Sequence, residues 1–97
     1  MQNKNYLSGR RKEYELKKML ESQNFTVLRT AGSKGVFDLI AFDTDSIRFI
    51  QVKSSRRKKK THKQEIERLK LVQLPDRCTK ELWIYTQEQG WETYLIP

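Results

Sequence analysis

The stretch 36-VFDLIAFDTDSIRFIQVK-53 decides how this chain is read. Two apolar runs flank Asp43-Thr44-Asp45-Ser46, so residues 36–42 and 47–53 read as antiparallel strands joined by a tight turn. Pairing about Thr44 and Asp45 sets Phe42 opposite Ile47, Ile40 opposite Phe49 and Asp38 opposite Gln51. Strand side chains alternate with period two. Phe49, Gln51 and Lys53 therefore share one face, and Asp38, Ile40 and Phe42 share a face of the neighbouring strand. An acid, an amide and an amine meet at one end of a sheet face that is otherwise apolar. A plain hairpin has no use for them there.

Around this hairpin the chain reads as a short alternation of helices and strands. Residues 8–22 carry Leu16, Met19 and Leu20 at helical spacing behind a possible N-cap, Ser8. Gln23 and Asn24 break the helix, and 25-FTVLRT-30 is rich in strand formers. The loop 31-AGSKG-35 follows. After the hairpin, 54-SSRRKKKTHK-63 is a charged loop, and residues 62–73 form a second helix with Ile66, Leu69 and Val72 on one face, stopped by Pro75. The strands 82-LWIYT-86 and 91-WETYLI-96 close the chain as a hairpin. The order αβββαββ implies an α/β fold: an antiparallel meander, a helical crossover to a fourth strand, right-handed if that strand runs parallel to its neighbour, and helices on one or both faces of a small mixed sheet.

Composition narrows the function. Ninety-seven residues make one domain, 1–97, with one modest core. A formal net charge of +8, from 20 Lys and Arg against 12 Asp and Glu, calls for a polyanionic partner. No apolar run is long enough to span a membrane, and the opening residues are too polar for a secretory leader, so an intracellular location is expected. One cysteine, Cys78, and one histidine, His62, exclude an intramolecular disulfide and a Cys/His zinc site within one chain.

The first helix adds a further group to the odd residues of the hairpin. Glu13 lies three residues before Leu16 and seven before Leu20, on the apolar stripe. If that stripe packs on the sheet, Glu13 faces Asp38. Two carboxylates and an amide oxygen are hard ligands suited to Mg²⁺ or Mn²⁺. A nearby ammonium can orient water and offset phosphate charge, so the set suits metal-assisted hydrolysis of a phosphodiester. The seven basic residues between 53 and 63, with no acid among them, would grip a nucleic-acid backbone.

The spacing from Asp38 to Gln51-Val52-Lys53 resembles the PD-(D/E)XK nuclease superfamily. The runs 9-GRRKEYELKKML-20, 31-AGSKGVFDLIAF-42, 50-IQVK-53 and 82-LWIYT-86 extend the resemblance over nearly the full length, to archaeal-type Holliday junction resolvases and their small viral and bacterial relatives. The resemblance implies a DNA endonuclease that hydrolyses phosphodiesters with Mg²⁺ (or Mn²⁺). Glu13, Asp38, Gln51 and the Val52 carbonyl would hold the metal, Lys53 would position water, and Ser33 would assist at the scissile phosphate. Arg10, Arg11, Lys12, Lys34, Arg56, Arg57, Lys58, Lys59 and Lys60 would hold DNA. It further implies a homodimer that cuts a four-way junction symmetrically, in a prokaryotic cytoplasm or a virus of such a host. Two positions depart from the pattern. Val36-Phe37 stand where proline precedes the aspartate, and Gln51 replaces the usual carboxylate, removing one negative charge from the site while keeping an oxygen donor.

Simpler readings exist for each residue. Asp38 could pair with Arg29, Glu13 with Lys17, and 56-RRKKK-60 could be a solvated or localisation segment. Trp83, Tyr85, Trp91 and Tyr94 suit a core or a dimer interface better than base stacking. Other nucleases of the same fold, a DNA-binding protein without catalysis and an RNA-associated domain are the competing functions.

Overall fold

The structure is a computed structural model that describes residues 4–30, 35–56 and 61–97, with side chains described from residue 9 onward. Its elements are α1 (Lys4–Ser22), β1 (Thr26–Arg29), β2 (Leu39–Phe42), β3 (Ile47–Ser55), α2 (Lys63–Lys70), β4 (Cys78–Thr86) and β5 (Gly90–Ile96). The five strands form one sheet in chain order, antiparallel except for β3 and β4, which run parallel. The expected α/β architecture and its crossover through the second helix are both present.

The turn at residues 43–46 fixes the register. Asp43 Oδ1 accepts the amides of Asp45 and Ser46, each at 2.9 Å, an Asx turn that lets β2 and β3 meet at Phe42 and Ile47. From there Ile40 faces Phe49, as the alternation requires. Helix α1 stops where Asn24 takes φ 73°, with the amide of Asn24 bonded to the Glu21 carbonyl at 3.0 Å.

The two faces of the sheet carry separate clusters. Leu16 and Leu20 of α1 pack with Val27, Leu39, Ala41, Ile50 and Val52. On the other face Leu69 of α2 packs with Leu82, Ile84 and Ile96, joined by Phe37, Ile66 and Tyr94. Sequence periodicity left open whether the helices share a face; here each takes its own. Helix α2 covers β4 and β5, so Leu28, Phe42 and Ile47 stay exposed on the uncovered part of that face.

Three differences from the sequence expectation have physical causes. Helix α2 ends at Lys70 rather than 73 because the Lys80 ammonium donates to the carbonyls of Leu69 and Val72, at 2.9 and 2.8 Å. That cation sits at the C-terminal end of the helix, where the Leu69 carbonyl also accepts the Val72 amide at 3.1 Å. Strand β4 begins at Cys78 rather than 82, through a polar segment that looks unlike a strand. Within it Glu81 is buried, held by Arg48 Nε and Nη2 at 2.7 and 2.8 Å and by Trp83 Nε1 at 2.9 Å. Strand β2 begins at Leu39 rather than 36, because the ladder breaks at Asp38, as described below. Trp83 and Tyr85 each pack edge to face on Trp91 within the chain.

Burial alone would raise the Glu81 pKa, but the hydrogen bonds from Arg48, Trp83 and Thr79 and the charge of Arg48 outweigh it and hold the carboxyl below its ordinary value. Its contribution to stability is therefore complete above the ordinary carboxylate range and is lost as pH falls below it. Removing one member of a buried pair leaves the other charged and unpartnered, at a cost of about 3–5 kcal/mol. Glu81→Ala should lower the unfolding free energy measured in urea at pH 7 by that order with an unchanged m-value, and the gap to the wild-type protein should shrink in acid.

Candidate metal and phosphodiester site

The site lies where the sheet opens between β2 and β3. Leu39 is the partner of Ile50, yet the amide of Asp38 reaches the carbonyl of the same Ile50 at 2.8 Å. Two residues of one strand thus face one residue of the next, as in a β-bulge. The bulge turns the Asp38 carboxylate toward β3, where Oδ2 accepts the amide of Val52 at 2.8 Å. That amide would otherwise lack a strand partner, since β2 has ended. The Val52 carbonyl points to the same edge, because alternate residues of an antiparallel strand turn both backbone groups to one side. Thr30 completes the brace. Its amide donates to the Asp38 carbonyl at 3.0 Å, and its hydroxyl donates to the Phe37 carbonyl at 2.8 Å.

The other groups approach from opposite faces. Ile50 and Val52 belong to the cluster under α1, so Gln51 between them points to the α2 face. Glu13 comes from α1, on the other side. Sequence alternation placed all of them on one face; in the structure Glu13 and Asp38 lie within electrostatic reach of each other, while Gln51 belongs to the opposite face of β3. Gln51 is 7% exposed and its Oε1 is buried with no hydrogen-bond partner. Glu13 Oε1 accepts Arg29 Nε at 3.0 Å, while Lys17 pairs with Glu21, so Glu13 is not the partner of Lys17.

Electrostatics tie these groups together. Burial and the charge of Asp38 raise the Glu13 pKa, against the opposing Arg29. Burial raises the Asp38 pKa, against the Val52 amide and the positive charges of Lys53 and Arg29. Two carboxylates near each other, both resisting ionisation, make a site that gains from a bound cation. Among the described residues no group of three His, Cys, Asp or Glu side chains could hold a metal. The Glu13 and Asp38 carboxylates lie at this edge with the Val52 carbonyl, and the orphaned amide oxygen of Gln51 lies on the other face of β3. All are hard oxygen donors, and they fit Mg²⁺ or Mn²⁺.

Not every expected residue joins the site. Lys53 is exposed and within electrostatic reach of Asp38. Arg10 and Arg11 are exposed on α1, and Arg56 is exposed after β3. Lys12 is engaged inside the fold, paired with Glu15 at 2.8 Å and seated 3.5 Å from the centroid of the Tyr85 ring. Ser33, Lys34, Arg57, Lys58, Lys59 and Lys60 lie outside the described residues. Sequence reasoning did not assign Thr30 or Tyr14, and considered Arg29 only as a partner for Asp38. Period two does place Arg29 on the same face as the buried Val27, which was the available signal.

The bulged aspartate, the strand-borne Gln-Val-Lys and the helical glutamate on a five-stranded mixed sheet are those of the PD-(D/E)XK nuclease fold class. The sequence pattern of the family described as archaeal Holliday junction resolvase (Hjc) matches residues 4–97, and the chain belongs to that family. It is 45% identical over 65 residues to the crossover junction endodeoxyribonuclease Hjc of Methanocaldococcus jannaschii, covering 66% of this chain and 48% of that one. The match thus spans about half the length of that curated relative. The fold is similar to that of Archaeoglobus fulgidus Hjc, a Holliday junction resolvase, with a TM-score of 0.72 and 20% identity over 91% of this chain and 72% of that one.

A carboxyl with a raised folded pKa binds more protons folded than unfolded between its two pKa values, so its contribution to stability falls as pH rises through that window. Without divalent metal, Asp38→Asn should therefore be more stable than the wild-type protein at pH 7 in urea unfolding. The difference should close as pH falls below the ordinary aspartate range.

Proposed function

We propose that this protein is a metal-dependent DNA endonuclease that resolves four-way junctions. The observation that carries the reading is the bulged Asp38, locked to the Val52 amide and sharing its surroundings with Glu13 and Lys53. Glu13, Asp38, Gln51 and the Val52 carbonyl would hold Mg²⁺, or Mn²⁺ in its place. A cation held there supplies Lewis acidity toward a phosphate oxygen and acidifies water. The chain's own residues do the rest. Bulge and brace fix the direction of the Asp38 carboxylate before substrate arrives. Lys53, exposed and close to Asp38, positions water and offsets charge that develops on the phosphate. Ser33 and Lys34, between Thr30 and Asp38 in the sequence, would assist at the scissile strand. The products carry 5′-phosphate and 3′-hydroxyl ends.

Arg10, Arg11 and the run 56-RRKKK-60 would hold the DNA backbone without reading sequence, with affinity that falls steeply with salt. Symmetric paired cuts need two sites, which a homodimer supplies. Its support is the apolar surface of Leu28, 54% exposed, with Phe42 and Ile47 on the face that α2 leaves open. The seam expected at β4 and β5 would draw on Leu95, 70% exposed, while Trp83 and Tyr85 pack on Trp91 within the chain. Among the described residues no helix is long and apolar enough to cross a membrane. The proposal places the work in the cytoplasm of a prokaryote, or of a host infected by a virus.

The experiment offers a labelled four-way junction and the matching linear duplex with Mg²⁺, Mn²⁺ or EDTA. Paired symmetric cuts in the junction alone are expected, abolished by EDTA and lowered by at least about 10²-fold in Asp38→Ala. Cutting of the duplex as well would leave a nuclease without junction selectivity, and binding without cutting would leave a DNA-binding protein. In the same assay Gln51→Glu restores a charge to the site and should lower the Mg²⁺ needed for half-maximal cleavage by roughly tenfold.

A further inference from the structure

Glu13 and Asp38 bring two negative charges into a half-buried site, and the fold supplies a cation of its own for them. Arg29 Nε donates to Glu13 Oε1 at 3.0 Å, with the two side chains 25% and 18% exposed. The charge of Arg29 acts on Asp38 as well. Its guanidinium carbon lies 5.1 Å from the centroid of the Tyr14 ring. Tyr14 has no other evident purpose in the fold. It is 42% exposed and belongs to neither apolar cluster, yet a second guanidinium, that of Arg10, also comes within 5.8 Å of its ring. A planar guanidinium stacks well on an aromatic face, and such a contact restricts a long, otherwise mobile side chain.

We propose that Arg29 is the resident counter-ion of the Glu13–Asp38 pair, held over Glu13 by the ring of Tyr14, and that a divalent cation enters the site by displacing it. The proposal rests on the metal reading given above. The alternative role for Arg29 is that of an outer partner that orients Glu13 while the metal is bound, as such partners commonly do. Displacement is favoured because Arg29 Nε occupies Glu13 Oε1, an oxygen the cation would need. Linkage makes the two roles opposite in sign. A counter-ion that must leave weakens metal binding, and an orienting partner strengthens it.

The test is Mn²⁺ binding without DNA, by titration calorimetry, to the wild-type chain, Arg29→Met, Tyr14→Leu, Tyr14→Phe and Asp38→Asn, each checked for folding by circular dichroism. Displacement predicts that Arg29→Met binds Mn²⁺ roughly five- to tenfold tighter. Tyr14→Leu, which removes neither charge nor ligand, should bind roughly threefold tighter, and Tyr14→Phe should match the wild type. The Tyr14→Leu result separates displacement from a general gain in negative potential, and it decides alone if Arg29→Met does not fold. Weaker or unchanged binding in Arg29→Met, or unchanged binding in Tyr14→Leu, would overturn the proposal. If neither the wild type nor Arg29→Met binds Mn²⁺, or if Asp38→Asn binds as well as the wild type, the metal reading itself fails and the displacement with it.

Discussion

The hydrogen bond from the Val52 amide to the Asp38 carboxylate, 2.8 Å long, is the constraint on which the site depends. A sheet that simply continued would give Val52 a backbone partner and leave no opening. Here β2 stops at Leu39, the chain bulges, and a side chain takes the place of the missing carbonyl. One substitution of side chain for backbone satisfies a polar group that burial would otherwise penalise. It also turns the carboxylate into the gap and exposes the Val52 carbonyl to it. Thr30 holds the same peptide from the other side, so Asp38 is fixed by its own strand, its neighbour strand and the residue that follows β1.

The site is electrostatically expensive, and the chain offsets that cost in several ways. Gln51, where the family pattern has a carboxylate, brings no further negative charge, and its buried oxygen has no partner in the protein. Arg29 neutralises part of what remains. The pair Arg48–Glu81 lies on the same face of the sheet as α1 and shows the contrasting case. There the geometry is complete, with every strong donor aimed at the carboxylate, and the glutamate is held ionised. At Asp38 and Glu13 burial wins over the available donors and both carboxyls resist ionisation. The difference separates a group that holds the sheet together from groups waiting for a ligand.

Much of this was legible in the sequence because period two is rigid once a turn is placed. The Asx turn at Asp43 fixes Phe42 against Ile47, and the position of Asp38 beside β3 follows within one residue. The choice of faces was not legible. Alternation says which side chains share a face but not which helix covers it, so Glu13 and Gln51 were expected together and instead arrive from opposite sides. The bulge is invisible to alternation for the same reason. Strand β4 starts four residues early because its polar opening residues are reconciled by a distant arginine, Arg48, which no local pattern announces. Lys12 looked like one more basic residue of a DNA-facing helix, but its place depends on Tyr85, far along the chain.

The central claim is that Asp38, Glu13, Gln51 and the Val52 carbonyl surround one cation at the open end of the sheet. The most direct measurement is an anomalous difference map from crystals soaked in Mn²⁺ without DNA. The account predicts a single strong peak within oxygen-ligand distance of an Asp38 carboxylate oxygen and the Val52 carbonyl, with the Gln51 oxygen turned toward it. A peak elsewhere, or none at saturating Mn²⁺, would contradict it.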